Sequence, residues 1–384
     1  MVDADQRLAA LRERGLYREL RNLEAPSSGR AVVDGREVLV LCSNDYLALR
    51  HHPLVRDAAA EAAQRWGAGA GSSRLVSGNL ALHAALEQEL AAFKGHERCV
   101  LFGSGFLANT GVIPALTGPD EVILSDALNH ASLIDGCRLS RAETIVYEHG
   151  DLDSLAAGLE RAAGRPALIV TDAVFSMDGD VAPLAAIVEL ARSHGARVLV
   201  DEAHATGVVG PDGRGLVAEL GLQREVEVVI GTLSKALGSY GAFALCSQAV
   251  GELLVNQART LIFSTALPPP SAAAALAALG VLREQPQLVE RLHANARLMR
   301  GELAAGGLTV DGGDMPIVPL IAGDPGAAME WSQAALSRGV FVQAIRPPTV
   351  PEGTSRLRLA VTAGHSETEL REAAAVLTAA SPRV

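Results

Sequence analysis

One lysine of this chain sits where a surface charge is hard to account for. In the run Val-Val-Ile-Gly-Thr-Leu-Ser-Lys-Ala-Leu-Gly-Ser-Tyr-Gly, the apolar segment Val226 to Ile230 ends in small and hydroxylated residues. Lys235 stands among them, with Gly231, Gly238 and Gly241 nearby. A second apolar run, Arg197-Val-Leu-Val, ends in Asp201-Glu-Ala-His204. In open α/β sheets functional groups gather just beyond the carboxyl ends of the strands, so Asp201, His204 and Lys235 are expected to share one crevice. An amine, a carboxylate and an imidazole grouped in this way suit pyridoxal phosphate. The lysine would hold the cofactor's aldehyde as a Schiff base, and the carboxylate would keep the pyridine nitrogen protonated so that the ring accepts electrons. Taken singly, a buried aspartate at a strand end and a lysine in a glycine loop are also ordinary structural features.

The elements that must position these groups are legible as alternation. Apolar runs at Cys99 to Phe102, Val122 to Leu124, Thr144 to Tyr147, Ala167 to Val170, Val198 to Val200, Val226 to Ile230 and Ala242 to Cys246 give seven expected strands. Between them lie stretches of helical spacing such as Leu152 to Ala163 and Leu184 to Ser193, which argues for a mostly parallel sheet with helices on both faces. Upstream, Leu8, Leu11, Leu16 and Leu20 predict an amphipathic helix over residues 5–24, followed by a strand at Glu37 to Cys42. The polar turn Ser43-Asn-Asp-Tyr-Leu then delivers Asn44 and Tyr46. The glycine-dense stretch Gly67 to Gly78 lacks the Gly-x-Gly-x-x-Gly spacing and reads as a loop lining a site or a subunit contact. Past Pro268-Pro-Pro270, a helical region from Ser271 to about Ala305 precedes short strands at Ile317 to Ile321, Val340 to Val342 and Leu357 to Val361. The expected division is therefore an N-terminal arm and strand over 1–40, a large α/β domain over 41–270, and a long helix with a small α+β domain over 271–384.

Composition narrows the partners. The 384 residues carry a formal charge of −11, which speaks against nonspecific binding to nucleic acid or to an anionic membrane. Aromatics are only 3 % while apolar residues reach 49 %, so a large core must be built from Ala, Val and Leu. The opening Met-Val-Asp-Ala-Asp-Gln-Arg lacks the apolar stretch of a leader, and no uncharged run approaches the ~20 apolar residues of a membrane span. A cytoplasmic location is expected. Cys42, Cys99, Cys137 and Cys246 show no paired spacing, so reduced thiols are expected, with no metal site.

Four segments together resemble the α-oxoamine synthase family of fold-type I pyridoxal phosphate enzymes: Ser43-Asn-Asp-Tyr-Leu, Thr171-Asp-Ala-Val-Phe-Ser-Met-Asp-Gly-Asp180, Val200-Asp-Glu-Ala-His-Ala-Thr-Gly207 and Gly231-Thr-Leu-Ser-Lys-Ala-Leu-Gly238. The resemblance covers almost the whole chain. It implies the fold-type I transferase architecture and a homodimer with active sites at the subunit interface. It departs from the common pattern at Ala48, where many relatives have Gly, and at Asp172, where many have Glu. Gly105 and Phe106 open a helix after a strand, and their amides are expected to meet the cofactor phosphate along the helix dipole. Thr232 would add a hydroxyl, and the resemblance implies that Thr265 reaches the phosphate of the neighbouring subunit. It also implies that His130 stacks on the cofactor ring, that Ser176 and His204 bond its phenolic oxygen, and that Asp201 pairs with its ring nitrogen. Arg358 matches the arginine for the amino-acid carboxylate, and Asn44, Thr349 and an N-terminal arginine match substrate contacts, with Arg18 favoured over Arg21.

The implied reaction is a decarboxylative condensation of an amino acid with an acyl thioester, with Lys235 moving the proton. The run Ala344-Ile-Arg-Pro-Pro-Thr-Val-Pro-Glu-Gly-Thr-Ser-Arg-Leu-Arg-Leu359 resembles one branch of the family in particular, and that resemblance implies the joining of L-alanine to pimeloyl-CoA or pimeloyl-acyl carrier protein on the way to biotin. Glycine with acetyl-CoA is the alternative pair. A silent scaffold that keeps the fold is a third reading, against which the intact Asp201, His204 and Lys235 set argues.

Overall fold

The computed structural model describes residues 3–382 apart from 163 and 211. Contacts divide the chain into two compact units. The smaller contains residues up to Ala48, the segment Met177–Gly179 and the chain from Glu290 onward; the larger contains Leu49–Ser176 and Asp180–Val289.

Thirteen strands follow one another along the described residues. The first two, β1 (Arg30–Val33) and β2 (Arg36–Val40), belong to the smaller unit. The larger unit then supplies β3 (Arg98–Phe102), β4 (Val122–Asp126), β5 (Glu143–Tyr147), β6 (Ala167–Asp172), β7 (Arg197–Asp201), β8 (Val228–Thr232) and β9 (Ala242–Cys246). The smaller unit ends with β10 (Ile317–Gly323), β11 (Val340–Phe341), β12 (Gln343–Ile345) and β13 (Ser355–Ala360).

All seven expected strands of the larger unit form one sheet in the order β3-β9-β8-β7-β6-β4-β5. Only β9 runs antiparallel to its neighbours. Continuous Val, Ile and Leu runs suit strands covered on both faces, and β4, β6 and β8 are buried at every position. Because six strands share a direction, Asp126, Asp172, Asp201 and Thr232 all end strands at one edge of the sheet. Val100, Val112, Ile123, Leu168, Leu199 and Val228 lie in the core beneath that edge.

Helices take their bounds from local chemistry. Pro53 begins Pro53–Trp66 at a position where its missing N–H is not needed. Ser104 caps Gly105–Leu116 by accepting the N–H of Leu107 at 3.2 Å. The helical region expected from Ser271 is two helices, Pro269–Glu284 and Gln287–Ala305, because Pro286 cannot donate to a continuing ladder. The first of these packs on Pro53–Trp66 and Ala81–Lys94, so the unit boundary falls after Val289 and not at residue 270.

In the smaller unit, β13 lies between β10 and β12, and β2 lies between β1 and β11. Its core gathers Met299, Trp331, Leu357 and Leu377, with the Trp331 indole N–H donating to Leu377 O at 2.9 Å. The N-terminal helix is shorter than its leucine spacing predicts. It runs from Ala4 to Glu13, just ahead of Gly15, which costs a helix about 1 kcal/mol relative to alanine, and Glu24 bridges to Val32 beyond it. The strand expected at Val340 to Val342 stops at Phe341 as β11, which pairs with β2, and a further strand, β12, begins at Gln343 and pairs with β13. All four cysteines are free thiols. Among the described residues no helix is long and apolar enough to cross a membrane.

Candidate active site

The larger unit brings the expected catalytic groups to one edge. Lys235 follows β8 in a loop that Gly238 turns at φ +59, so close to Arg50 that a Cβ there would lie 2.3 Å from its backbone nitrogen. The loop leaves Lys235 Nζ 2.7 Å from His204 Nε2. Asp201, at the end of β7, is 4 % exposed, and both its oxygens are held. One accepts the N–H of Ala203 at 2.8 Å and the other accepts from Asn109 Nδ2 at 2.6 Å. Asn109 Nδ2 also donates to Ser132 Oγ at 2.9 Å, and Ser132 Oγ lies 2.7 Å from His130 Nδ1. A chain of polar contacts thus runs from Asp201 through Asn109 and Ser132 to His130. Burial lowers the His130 pKa; the Asp201 charge opposes that shift and the Lys235 charge adds to it.

The turn carrying His130 is itself fixed. Asn129 donates to Val170 O at 2.8 Å and accepts the Asp172 N–H at 3.0 Å, so its amide acts as one more rung beside β6. Asp172 accepts the N–H of His130 at 2.8 Å. One position further along the edge, His149 bridges two carboxylates, with Nδ1 2.9 Å from Asp126 and Nε2 2.9 Å from Asp180. Burial works to lower the His149 pKa, but these two carboxylates outweigh it and raise the value.

Gly105 and Phe106 form the first turn of Gly105–Leu116, and a Cβ on Gly105 would meet nothing within 4 Å. Open space thus lies before a helix N-terminus, as a phosphate requires. Thr232 Oγ1 donates to Gly241 O at 3.0 Å and lies 2.7 Å from Ser234 Oγ. Ser176 is half-buried, two residues beyond the Val174–Val181 bridge. Thr265 is exposed and bridges to Ser73. The amine, the buried carboxylate and the open helix N-terminus fit pyridoxal phosphate. Lys235 suits its aldehyde, Asp201 its ring nitrogen, and the amides of Gly105 and Phe106 its phosphate.

The smaller unit holds the other expected residues. Arg358 on β13 is 6 % exposed, with one nitrogen 3.1 Å from Asn44 Oδ1 and the other 3.5 Å from Tyr46 OH. Burial pushes the neighbouring Cys42 thiol up to about 12, with Arg358 pulling the other way. Thr349 is exposed and donates its N–H to Arg346 O at 3.1 Å. Arg18 donates to Pro347 O at 3.5 Å in the same loop, whereas Arg21 bonds Gln333 and lies 3.6 Å from Asp34. Sequence reasoning missed Asn109, Ser132, Asn129 and His149. Asn109 left one signal, an amide inside a mainly apolar helix.

Comparisons with known proteins follow the same lines. The profile of the aminotransferase class I and II family matches residues 36–377. An 8-amino-7-oxononanoate synthase of Geobacter sulfurreducens is 50 % identical over 374 residues, covering 96 % of this chain and 95 % of its own. A serine palmitoyltransferase from S. paucimobilis, solved with bound PLP, superposes with a TM-score of 0.93 at 33 % identity, covering 98 % of this chain and 96 % of that one. The crystal structure of an 8-amino-7-oxononanoate synthase from Francisella tularensis gives a TM-score of 0.77 at 26 % identity, with 89 % and 97 % covered.

Proposed function

This chain belongs to the aminotransferase class I and II family, within its 8-amino-7-oxononanoate synthases, and on that premise we propose how its own residues carry out the reaction. It is a pyridoxal phosphate-dependent C-acyltransferase of biotin biosynthesis. The reading assigns it L-alanine and a pimeloyl thioester, borne by coenzyme A or acyl carrier protein. A bond forms between the alanine Cα and the thioester carbonyl carbon, while the carbon–sulfur bond and the bond to the carboxylate break. The products are an α-amino ketone, CO2 and the free thiol.

When bound, pyridoxal phosphate supplies an electron sink for the pair left on Cα by proton loss and again by loss of CO2. The protein does the rest. Lys235 Nζ anchors the cofactor and, once displaced, takes and returns the Cα proton. Asp201, its two oxygens held by Asn109 and Ala203, faces the ring nitrogen, and a buried carboxylate beside a cation favours both charged forms. His204 and Ser176 bond the phenolic oxygen. His130, steadied by Ser132 and Asp172, covers the ring. Gly105, Phe106 and Thr232 hold the phosphate. Arg358, oriented by Asn44 and Tyr46, takes the alanine carboxylate through its planar fork, and Arg18 and Thr349 meet the acyl substrate.

The observation that carries this assignment is the 2.7 Å approach of Lys235 Nζ to His204 beside a buried Asp201. A homodimer is part of the reading. Leu75, Val76 and Phe263 are exposed apolar residues within three positions of the Ser73–Thr265 bridge, and Phe106 is exposed as well, which suits a second copy of the chain, with Thr265 serving that copy's phosphate. Four free thiols are in keeping with the cytoplasm. The test is thiol release by cofactor-loaded protein, comparing pimeloyl-CoA plus L-alanine with acetyl-CoA plus glycine. Preference for the first pair, with the amino ketone detected, is expected. Preference for the second would overturn the substrates and leave the Lys235 chemistry standing.

A further inference from the structure

Immediately beside Asp201, Glu202 turns into the protein and meets Lys94, the last residue of Ala81–Lys94. Both side chains are fully buried, at 0 % and 1 % exposed, and they are bonded to each other. Lys94 Nζ also donates to Thr206 Oγ1 at 2.9 Å. The second Glu202 oxygen accepts the N–H of Val217 at 2.7 Å. The backbone of Glu202 is tied as well, donating to Ile230 O in β8 at 2.7 Å and accepting from Thr206 N at 2.9 Å. Gly215, at φ +95, passes so close that a Cβ there would lie 2.1 Å from Glu202 Oε2 and 2.7 Å from Lys94 Nζ. The surroundings are thus shaped around the two charges.

A buried ion pair is weak evidence for stability, because an apolar pair of similar volume holds a core as well or better. Location accounts for this one. Glu202 lies between Asp201 and His204 in a turn of four residues, and its contacts fix that turn to the neighbouring strand on one side and to a helix end on the other. We propose that Lys94 and Glu202 are positioning residues that set Asp201 and His204 against Lys235. The inference rests on the reading of Asp201 and His204 as the groups that hold the cofactor.

The test compares the holoenzyme with the variant Lys94→Met/Glu202→Gln, which removes both charges and keeps an oxygen for the Val217 N–H. A purely structural pair predicts that cofactor affinity and absorbance follow the thermal midpoint. A positioning pair predicts a midpoint near that of the wild type, a displaced pH titration of the cofactor absorbance, weaker cofactor retention, and a kcat lower by about a hundredfold, the scale of a misplacement near 1 Å. Thr206→Val leaves the ion pair but removes one bond to Lys94. It should move the same readouts by less, and it decides the matter if the double variant fails to fold. Asp201→Asn separates the two layers of the argument. If Asp201→Asn leaves cofactor affinity and absorbance unchanged, the underlying reading of Asp201 fails. If it weakens both while Lys94→Met/Glu202→Gln, or Thr206→Val in its place, matches the wild type, the positioning role is overturned and the pair is structural.

Discussion

Replacing Asp172 by asparagine should make the protein more stable at neutral pH than the wild type. The Asp172 carboxyl is 3 % exposed, pairs across the β6–β7 register with Asp201, and accepts the N–H of His130. Burial first, and the Asp201 charge second, raise its pKa well above the usual carboxylate range, against the pull of the His130 amide and Lys235. A carboxyl raised in this way keeps its proton in the folded protein after the unfolded chain has released it. Between its unfolded and folded pKa values the native state therefore binds more protons, and stability falls as pH rises, by at most about 1.4 kcal/mol per pH unit. Asp172→Asn retains an oxygen for the His130 N–H and has no proton to lose. Its advantage over the wild type should widen by up to about 1.4 kcal/mol per unit as pH climbs from about 4, and vanish below that. Urea unfolding of cofactor-stripped protein at a series of pH values from about 4 to 8 reads this directly. Parallel stability profiles for the two proteins would refute the reasoning, since Asp172 would then ionise in the fold as it does in the unfolded chain.

Lys235→Ala should lower turnover by at least about a thousandfold and abolish the covalent cofactor linkage, read as thiol release and as loss of a borohydride-reducible chromophore. A wild-type rate would remove the central assignment. Arg358→Ala should raise the KM for alanine by about ten- to a hundredfold, the worth of a charged hydrogen bond, with a smaller effect on the thioester KM. Steady-state kinetics with an unaltered alanine KM would reassign the carboxylate site. Ala48 holds φ at +58°, a left-handed conformation that costs a non-glycine residue about 1–2 kcal/mol, while glycine gains about 0.5–1 kcal/mol of unfolded-state freedom. Ala48→Gly should therefore stabilise by about 0.5–1 kcal/mol, seen as a higher thermal midpoint, and a lower midpoint would contradict the strain.

The parallel sheet was legible because its strands are short, built on apolar runs and mostly separated by helical spacing, so all seven appear within two residues of where their composition puts them. Their spatial order was not, since nothing in Arg98 to Phe102 says that its partner is the antiparallel strand Ala242–Cys246. The ends of helical regions were misjudged where a single residue decided them, as Pro286 does within the stretch from Ser271 to Ala305. Among the candidate site residues, Lys235 and Asp201 announced themselves by standing at the ends of apolar runs. Lys94 and His149 gave no such sign, because lysine at a helix end and histidine in a polar turn are common on surfaces, and only the fold reveals that one is sealed in the core and the other clasped by two carboxylates. The departure at Ala48 gained a physical meaning only when its backbone angle was seen.

The sheet order has a consequence for how the chain is made. Arg98 pairs with Cys246, 148 positions later, and within this sheet β9 alone links β3 to the other five strands. At about 5–20 residues per second, a ribosome needs on the order of ten seconds to deliver that partner, and the last strand must still clear the exit tunnel. Throughout that interval β3 presents an apolar strand with unpaired edges, the kind of segment that recruits strands from other nascent chains. Yield at high expression should therefore depend on elongation speed and on chaperone supply, even for variants whose finished structure is as stable as the wild type.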